Sequence, residues 1–130
     1  MPSLFSKIVA GEIPCAKVWE NSEFLAFLDI MPVTPGHTLV IPKKETDYLF
    51  DLESAEYGRL MEAARIVGKG LKKATGCQRV CLGVWGFEVP HVHVHLIPMN
   101  NLGEFPFPPN RQKASPETLK AMAANITTAL

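Results

Sequence analysis

Three of the chain's four histidines fall at alternate positions in His91-Val92-His93-Val94-His95-Leu96-Ile97-Pro98. Alternation with apolar residues is the period of a strand with one buried face. In that reading His91, His93 and His95 share a face, roughly 6–7 Å apart in sequence order. Val92, Val94 and Leu96 then point the other way, into a core. Three chemistries suit such a row. It can be the polar face of a structural strand, or it can hold zinc together with a further ligand. It can also be catalytic, because imidazole changes charge near neutral pH and can act as nucleophile, base or donor.

The elements that must position this row can be read in order. Ser3 can cap a short helix over residues 4–10 that Gly11 and Pro14 stop, with Phe5 and Ile8 on one side of it. Lys17–Trp19 and Phe24–Leu28 read as strands joined by the polar turn Glu20-Asn21-Ser22. Asp29-Ile30-Met31-Pro32 ends the second strand, where a carboxylate is commonly a turn former. Gly36 permits an unusual turn before His37, and Thr38–Ile41 is a third strand with Pro42 as its stop. Asp51 or Ser54 can cap a long helix to about Thr75, closed by Gly76. Its apolar stripe is Tyr57, Leu60, Met61, Ala64, Val67, Leu71 and Ala74, and its end carries lysines that suit the helix dipole. Arg79–Val84 is a fourth strand, and the histidine row is the fifth. The proline-bearing run 103–110 is read as irregular. Ser115-Pro116-Glu117 opens a final helix with an apolar face of Leu119, Met122, Ala123, Ile126 and Leu130.

Most of these connections lack a helix long enough for a parallel crossover. The expected fold is therefore α+β, a five-stranded, mainly antiparallel sheet with one long helix and short N- and C-terminal helices. A chain of 130 residues makes this a single domain spanning 1–130. Its 13 basic and 13 acidic residues balance, so no long-range pull toward nucleic acid or an anionic membrane is expected. No apolar run approaches membrane-spanning length, and residues 1–14 lack the apolar stretch of a signal peptide. Cys15, Cys77 and Cys81 form no Cys-x-x-Cys pair and fit reduced thiols in the cytoplasm.

The row His91-Val92-His93-Val94-His95-Leu96-Ile97 resembles the His-apolar-His-apolar-His-apolar-apolar signature of the histidine-triad (HIT) superfamily of nucleotide hydrolases and transferases. Three further stretches resemble its nucleotide-binding branch and occur in the same order. They are Phe5-Ser6-Lys7-Ile8-Val9-Ala10-Gly11-Glu12-Ile13-Pro14, Leu25-Ala26-Phe27-Leu28-Asp29-Ile30-Met31-Pro32 and Pro35-Gly36-His37-Thr38-Leu39-Val40-Ile41-Pro42-Lys43. The tail from Met99 carries no such motif. The resemblance implies helices on one face of the sheet and a homodimer built on the long helices and fourth strands. It implies that Phe5, Ile8, Ile30 and Leu39 belong to a purine pocket, that Asp29 accepts ribose hydroxyls, and that His37 is a fourth histidine orienting the triad.

The implied mechanism is attack by neutral His93 on the α-phosphorus of a purine nucleoside phosphoramidate or related mononucleotide derivative. Water then hydrolyses the nucleotidyl-histidine, His91 and His95 donate to phosphoryl oxygens or the leaving group, and no metal or other cofactor is required. Alternatives are a nucleotide-binding regulatory protein with little turnover, a dinucleoside polyphosphate hydrolase, and, more weakly, a zinc enzyme on the three histidines.

Two departures from the family pattern bear on this. Phe87 stands where relatives carry a glutamine and Val80 where they carry an asparagine. Phe87 cannot hydrogen-bond a phosphate and Glu88 would repel one, so backbone amides near Gly86 and Glu88 are expected to contact the scissile group, with amine or aromatic leaving groups favoured. Some bacterial relatives carry a structural zinc site of two cysteines and a histidine at places that are here Ser3, Ser6 and Glu45. This reads as loss of that site.

Overall fold

The computed structural model describes residues 2–104 and 111–130. Its elements run α1 (Leu4–Val9), β1 (Lys17–Glu20), β2 (Phe24–Leu28), β3 (Thr38–Pro42), α2 (Ser54–Thr75), β4 (Arg79–Gly83), β5 (Val94–Met99) and α3 (Pro116–Ala129), with single 3-10 turns at Leu49–Asp51 and Leu102–Glu104. The strands form one sheet in the order β1-β2-β3-β5-β4, and every pairing is antiparallel. Among the described residues no helix is long and apolar enough to cross a membrane.

Sequence chemistry accounts for the boundaries. Ser3 caps α1, accepting from the Ser6 N–H at 3.0 Å. Asn21 Oδ1 accepts from Glu23 and Phe24 N–H and closes the β1–β2 hairpin. Ser115 caps α3 with Pro116 in its first turn, and Gly76 ends α2 in the left-handed region. The cap of α2 differs from expectation. It is Glu53, whose side chain makes no capping bond, while Asp51 sits in the preceding 3-10 turn.

The sheet is covered on both faces, not one. Phe24, Ala26, Leu28, Val40, Val92, Val94 and Leu96 pack with Leu60, Ala64, Val67 and Leu71 of α2 and with Ala123 and Ile126 of α3. The opposite face buries Leu25, Phe27, Leu39 and Ile41 against Phe5 of α1. A sheet buried on both sides explains why β2, β3 and β5 show no alternation of exposure. In α2 the buried stripe also takes in Ala63 and Gly70, whereas Tyr57 is exposed; Leu130, at the end of α3, is exposed as well.

The histidine row is only partly a strand. Val40 pairs with Val94, and β3 ends two residues later at Pro42, which has no N–H for the ladder. β5 therefore begins at Val94, and His91 and His93 lie before it. The Val92 N–H reaches Thr46 O instead, at 2.7 Å. The side-chain alternation survives nonetheless, with Val92, Val94 and Leu96 in the α2-side core. The run read as irregular begins inside the turn Leu102–Glu104, and its remainder, 105–110, lies outside the described residues.

Candidate active site

A cavity of about 290 Å³ opens on the α1 face of the sheet. Phe5 and Ile8 of α1, Leu39 of β3, Ile30 and Asp29 from the end of β2, and His93 and His95 all line it. Two larger clefts, of about 740 and 1030 Å³, contain none of the four histidines, while a third of about 460 Å³ is lined by Asp29, His37 and Arg111 among others. The edge of Phe5 packs on the rings of His93 and Phe27, at 5.0 and 5.5 Å between centroids. A short helix thus fixes the orientation of the central histidine.

The three histidines of the row, alike in sequence, are chemically distinct. His91 is fully buried and has both ring nitrogens engaged: Nε2 lies 2.7 Å from Pro42 O and Nδ1 2.7 Å from Ser3 Oγ. A carbonyl only accepts, so Nε2 carries the proton and the Ser3 hydroxyl donates to Nδ1. The expected donation from His91 to a phosphoryl group is therefore overturned, because its ring has no donor left to offer. Burial holds its pKa below the ordinary value, opposed by the bond to Pro42 and the nearby Glu45.

His93 has the opposite arrangement. Its Nδ1 lies 2.7 Å from the His91 carbonyl, which places the proton there and leaves the lone pair on Nε2. His95 is set by a relay. The Val33 N–H donates to His37 Nδ1 at 3.0 Å, so neutral His37 carries its proton on Nε2 and donates to His95 Nδ1 at 2.9 Å. His95 is left with its proton on Nε2. Burial, the neighbouring imidazoles and the Arg111 guanidinium lower both pKa values to about 3, so the relay is neutral. For that reason the 3.7 Å separation between His37 Nε2 and Asp29 Oδ2 is no ion pair. Gly36, at φ 94°, lets the chain turn immediately before His37; a Cβ there would lie 3.2–3.3 Å from Leu71, Thr75 and Pro98.

Asp29 does two things at once. Its Oδ1 accepts from the Met31 N–H at 2.8 Å, the turn-forming role, while the carboxylate also lines the cavity. Burial raises its pKa, opposed by that hydrogen bond and by Arg111. Glu88 lines the cavity from a largely exposed position. Gly86 takes a left-handed turn at φ 75° just before it but does not line the cavity. Phe87, expected at the nucleotide, is 93% exposed and is likewise not part of the cavity wall. Its side chain projects away where Gly86 turns the chain, while Trp85 packs on His95 at 5.0 Å.

Arg111, which no motif signalled, enters the same cavity from the segment before α3. It donates to Met31 O at 2.6 Å across 80 residues of chain. A lone arginine after a proline-bearing run has no spacing or period to betray that contact.

Two places bear on metal. Ser3, Ser6, Glu45 and His91 meet in one cluster: Glu45 Oε1 accepts from Ser6 Oγ and the Ser3 N–H, both at 2.6 Å, while Ser3 Oγ donates to His91. These bonds lower the Glu45 pKa to about 2. Hydroxyls and one carboxylate, already satisfied by each other, do not fit the thiolate-imidazole set that zinc prefers. Among the described residues, Asp29, His37 and His95 bring ligand atoms within 4.8 Å of one another. There a hydrogen bond already joins the imidazoles and a guanidinium lies beside the carboxylate. His91 and His93 are not in that set, so the row does not converge on one metal.

Comparison with known proteins gives a consistent picture. A family model described as the HIT domain matches residues 10–102. The chain is 35% identical to the adenosine 5'-monophosphoramidase of Schizosaccharomyces pombe, covering 98% of this chain and 97% of the relative. A crystal structure of a HIT-like protein from Bartonella henselae, described as involved in cell-cycle regulation, superposes with a TM-score of 0.87 at 32% identity, covering 98% and 96% of the two chains. A zinc-bound histidine triad protein from Mycobacterium smegmatis superposes at 0.82 with 25% identity, covering 97% and 91%.

Proposed function

The chain belongs to the HIT family, and from that premise we propose that it is a metal-independent hydrolase or transferase acting at the α-phosphorus of a purine mononucleotide derivative through a nucleotidyl-His93 intermediate. The observation that carries this reading is the His93 ring. Its Nδ1–H is committed to the His91 carbonyl, so the nucleophilic lone pair is held on Nε2 of a residue in the cavity wall. The Nε2–P bond forms as the bond to the leaving group breaks, and the departing amine leaves with a proton taken from solvent. Water then cleaves the P–N bond, its hydroxyl going to phosphorus and its proton to solvent, which releases the nucleotide and restores neutral His93.

His95 supplies the neighbouring donor. A neutral imidazole N–H near pH 7 donates a hydrogen bond rather than giving up its proton, so its role is to stabilise charge on the phosphoryl or leaving group. Phe5, Ile8, Ile30 and Leu39 offer an apolar wall for a base, and Asp29 an acceptor for ribose hydroxyls. The phosphoramidase activity of the Schizosaccharomyces pombe relative supports an amine leaving group. Because Phe87 lies outside the cavity, its lack of a donor is no argument for a binding protein without turnover.

The same reading includes a homodimer. β4 is a sheet edge, and between it and α2 lies a groove lined by Met61, Ala64, Gly68, Val80 and Leu82. Arg65, Lys69, Lys72, Lys73, Gln78 and Arg79 also line this groove, and Leu82 stands 53% exposed in it. Free Cys15, Cys77 and Cys81 support a reducing, cytoplasmic setting.

The test is turnover of adenosine 5'-phosphoramidate beside a diadenosine polyphosphate. Release of adenosine monophosphate from the phosphoramidate, faster than from the polyphosphate, is expected. Tight binding of adenosine monophosphate with no turnover of either would make the chain a binding protein.

A further inference from the structure

The catalytic end of the cavity presents an unbalanced set of charges. Asp29 and Glu88 are carboxylates, and His95 is held neutral, as is His37 behind it. His93 must be neutral to attack. Among the described residues lining the cavity, Arg111 is the one permanent cation. Its side chain is only 12% exposed and is anchored by Nη1 to Met31 O. Its two nitrogens straddle the carboxylates: Nη1 is 3.9 Å from Asp29 Oδ2 and Nη2 is 3.9 Å from Glu88 Oε1. Both separations exceed a charge-assisted hydrogen bond by about 1 Å.

We infer that Arg111 is the phosphate-binding residue of this site, its guanidinium donating to the non-bridging oxygens of the phosphoryl group that His93 attacks. The inference rests on the reading of the cavity as a mononucleotide site. A phosphoryl group brought beside two carboxylates and neutral imidazoles would otherwise meet net repulsion. A planar guanidinium presents paired N–H groups that match two phosphoryl oxygens, and partial burial strengthens the contact. The Met31 carbonyl and the two carboxylates hold the guanidinium in the cavity wall.

The competing role for Arg111 is purely structural, tying the tail to Met31. The two are separated by measuring the affinities of adenosine monophosphate and adenosine for wild type, Arg111→Gln and Arg111→Lys. Glutamine keeps a neutral donor and lysine keeps the charge. Wild type should prefer the monophosphate by at least about tenfold, as a charge-assisted contact implies. Arg111→Gln should abolish most of that preference while adenosine affinity stays within about twofold, which also reports an intact fold. Arg111→Lys should restore part of it, and added salt should weaken monophosphate binding to wild type more than to Arg111→Gln. Equal losses for both ligands, or an unchanged preference in Arg111→Gln, would overturn the inference. If wild type still forms a nucleotidyl-histidine in that case, only the role of Arg111 falls. If wild type binds neither ligand and forms no adduct, the nucleotide reading falls with it.

Discussion

Replacing His37 with phenylalanine isolates the relay from the nucleophile. His37 is fully buried, and phenylalanine fills a similar space, so little of the effect comes from a cavity. Two polar groups lose their partner: the Val33 N–H, now 3.0 Å from Nδ1, and His95 Nδ1, now 2.9 Å from Nε2. At about 1–3 kcal/mol for each group left unpaired, the variant should be roughly 2–6 kcal/mol less stable. Catalysis suffers for a different reason. Without the donor on its Nδ1, His95 can place its own proton there and present a bare Nε2 to the substrate. Losing one transition-state donor should lower kcat on adenosine 5'-phosphoramidate by about 10²-fold. On the p-nitrophenyl ester of adenosine monophosphate, whose leaving group is a weak base, the loss should be under about tenfold. Binding of adenosine monophosphate should change less than about threefold, since His37 itself is not in the cavity wall. Equal losses on both substrates, or affinity falling in step with kcat, would refute the assignment of His95 as a donor oriented by His37.

Stability should fall on the acid side. His37 and His95 titrate at about 3 in the fold against 6.5 ordinarily. The unfolded chain therefore binds more protons between those values, and stability is full above about pH 6.5 and declines below it by about 1 kcal/mol per pH unit for each histidine. Urea melts at pH 7, 6 and 5 with identical midpoints would contradict this. Purified protein should carry far less than about one zinc per chain, whereas the triple variant Ser3→Cys, Ser6→Cys, Glu45→His should gain near-stoichiometric zinc beside His91. Elemental analysis finding stoichiometric zinc in the wild type would reverse that expectation. Sedimentation at micromolar concentration should give about twice the 14.3 kDa chain mass, and Leu82→Arg should shift it toward the monomer. A wild-type species of 14.3 kDa alone would exclude the dimer.

Local chemistry made much of the fold legible. Ser3, Asn21, Gly76 and Ser115-Pro116 each mark an element end by a contact within a few residues. The all-apolar run Phe24–Leu28 was itself a sign that both sheet faces are covered, since a one-sided sheet alternates. Long-range partners are what sequence spacing does not reveal. The three histidines of the row look equivalent, yet Ser3 and Pro42, 88 and 49 residues away, withdraw His91 from the cavity. The end of β3 at Pro42 shortens the strand that alternation suggests. Arg111 reaches Met31 by a turn of the tail that leaves no periodic trace.

The most direct test of the central claim is to mix the protein rapidly with adenosine 5'-phosphoramidate, quench under alkaline conditions, and map any nucleotidyl group by mass spectrometry. Wild type should carry the group on His93, and His93→Ala should carry none while losing turnover by at least about 10³-fold. His91→Ala should still form the adduct, because its ring nitrogens face Ser3 and Pro42 rather than the substrate. An adduct on another residue, or full turnover by His93→Ala, would contradict the claim.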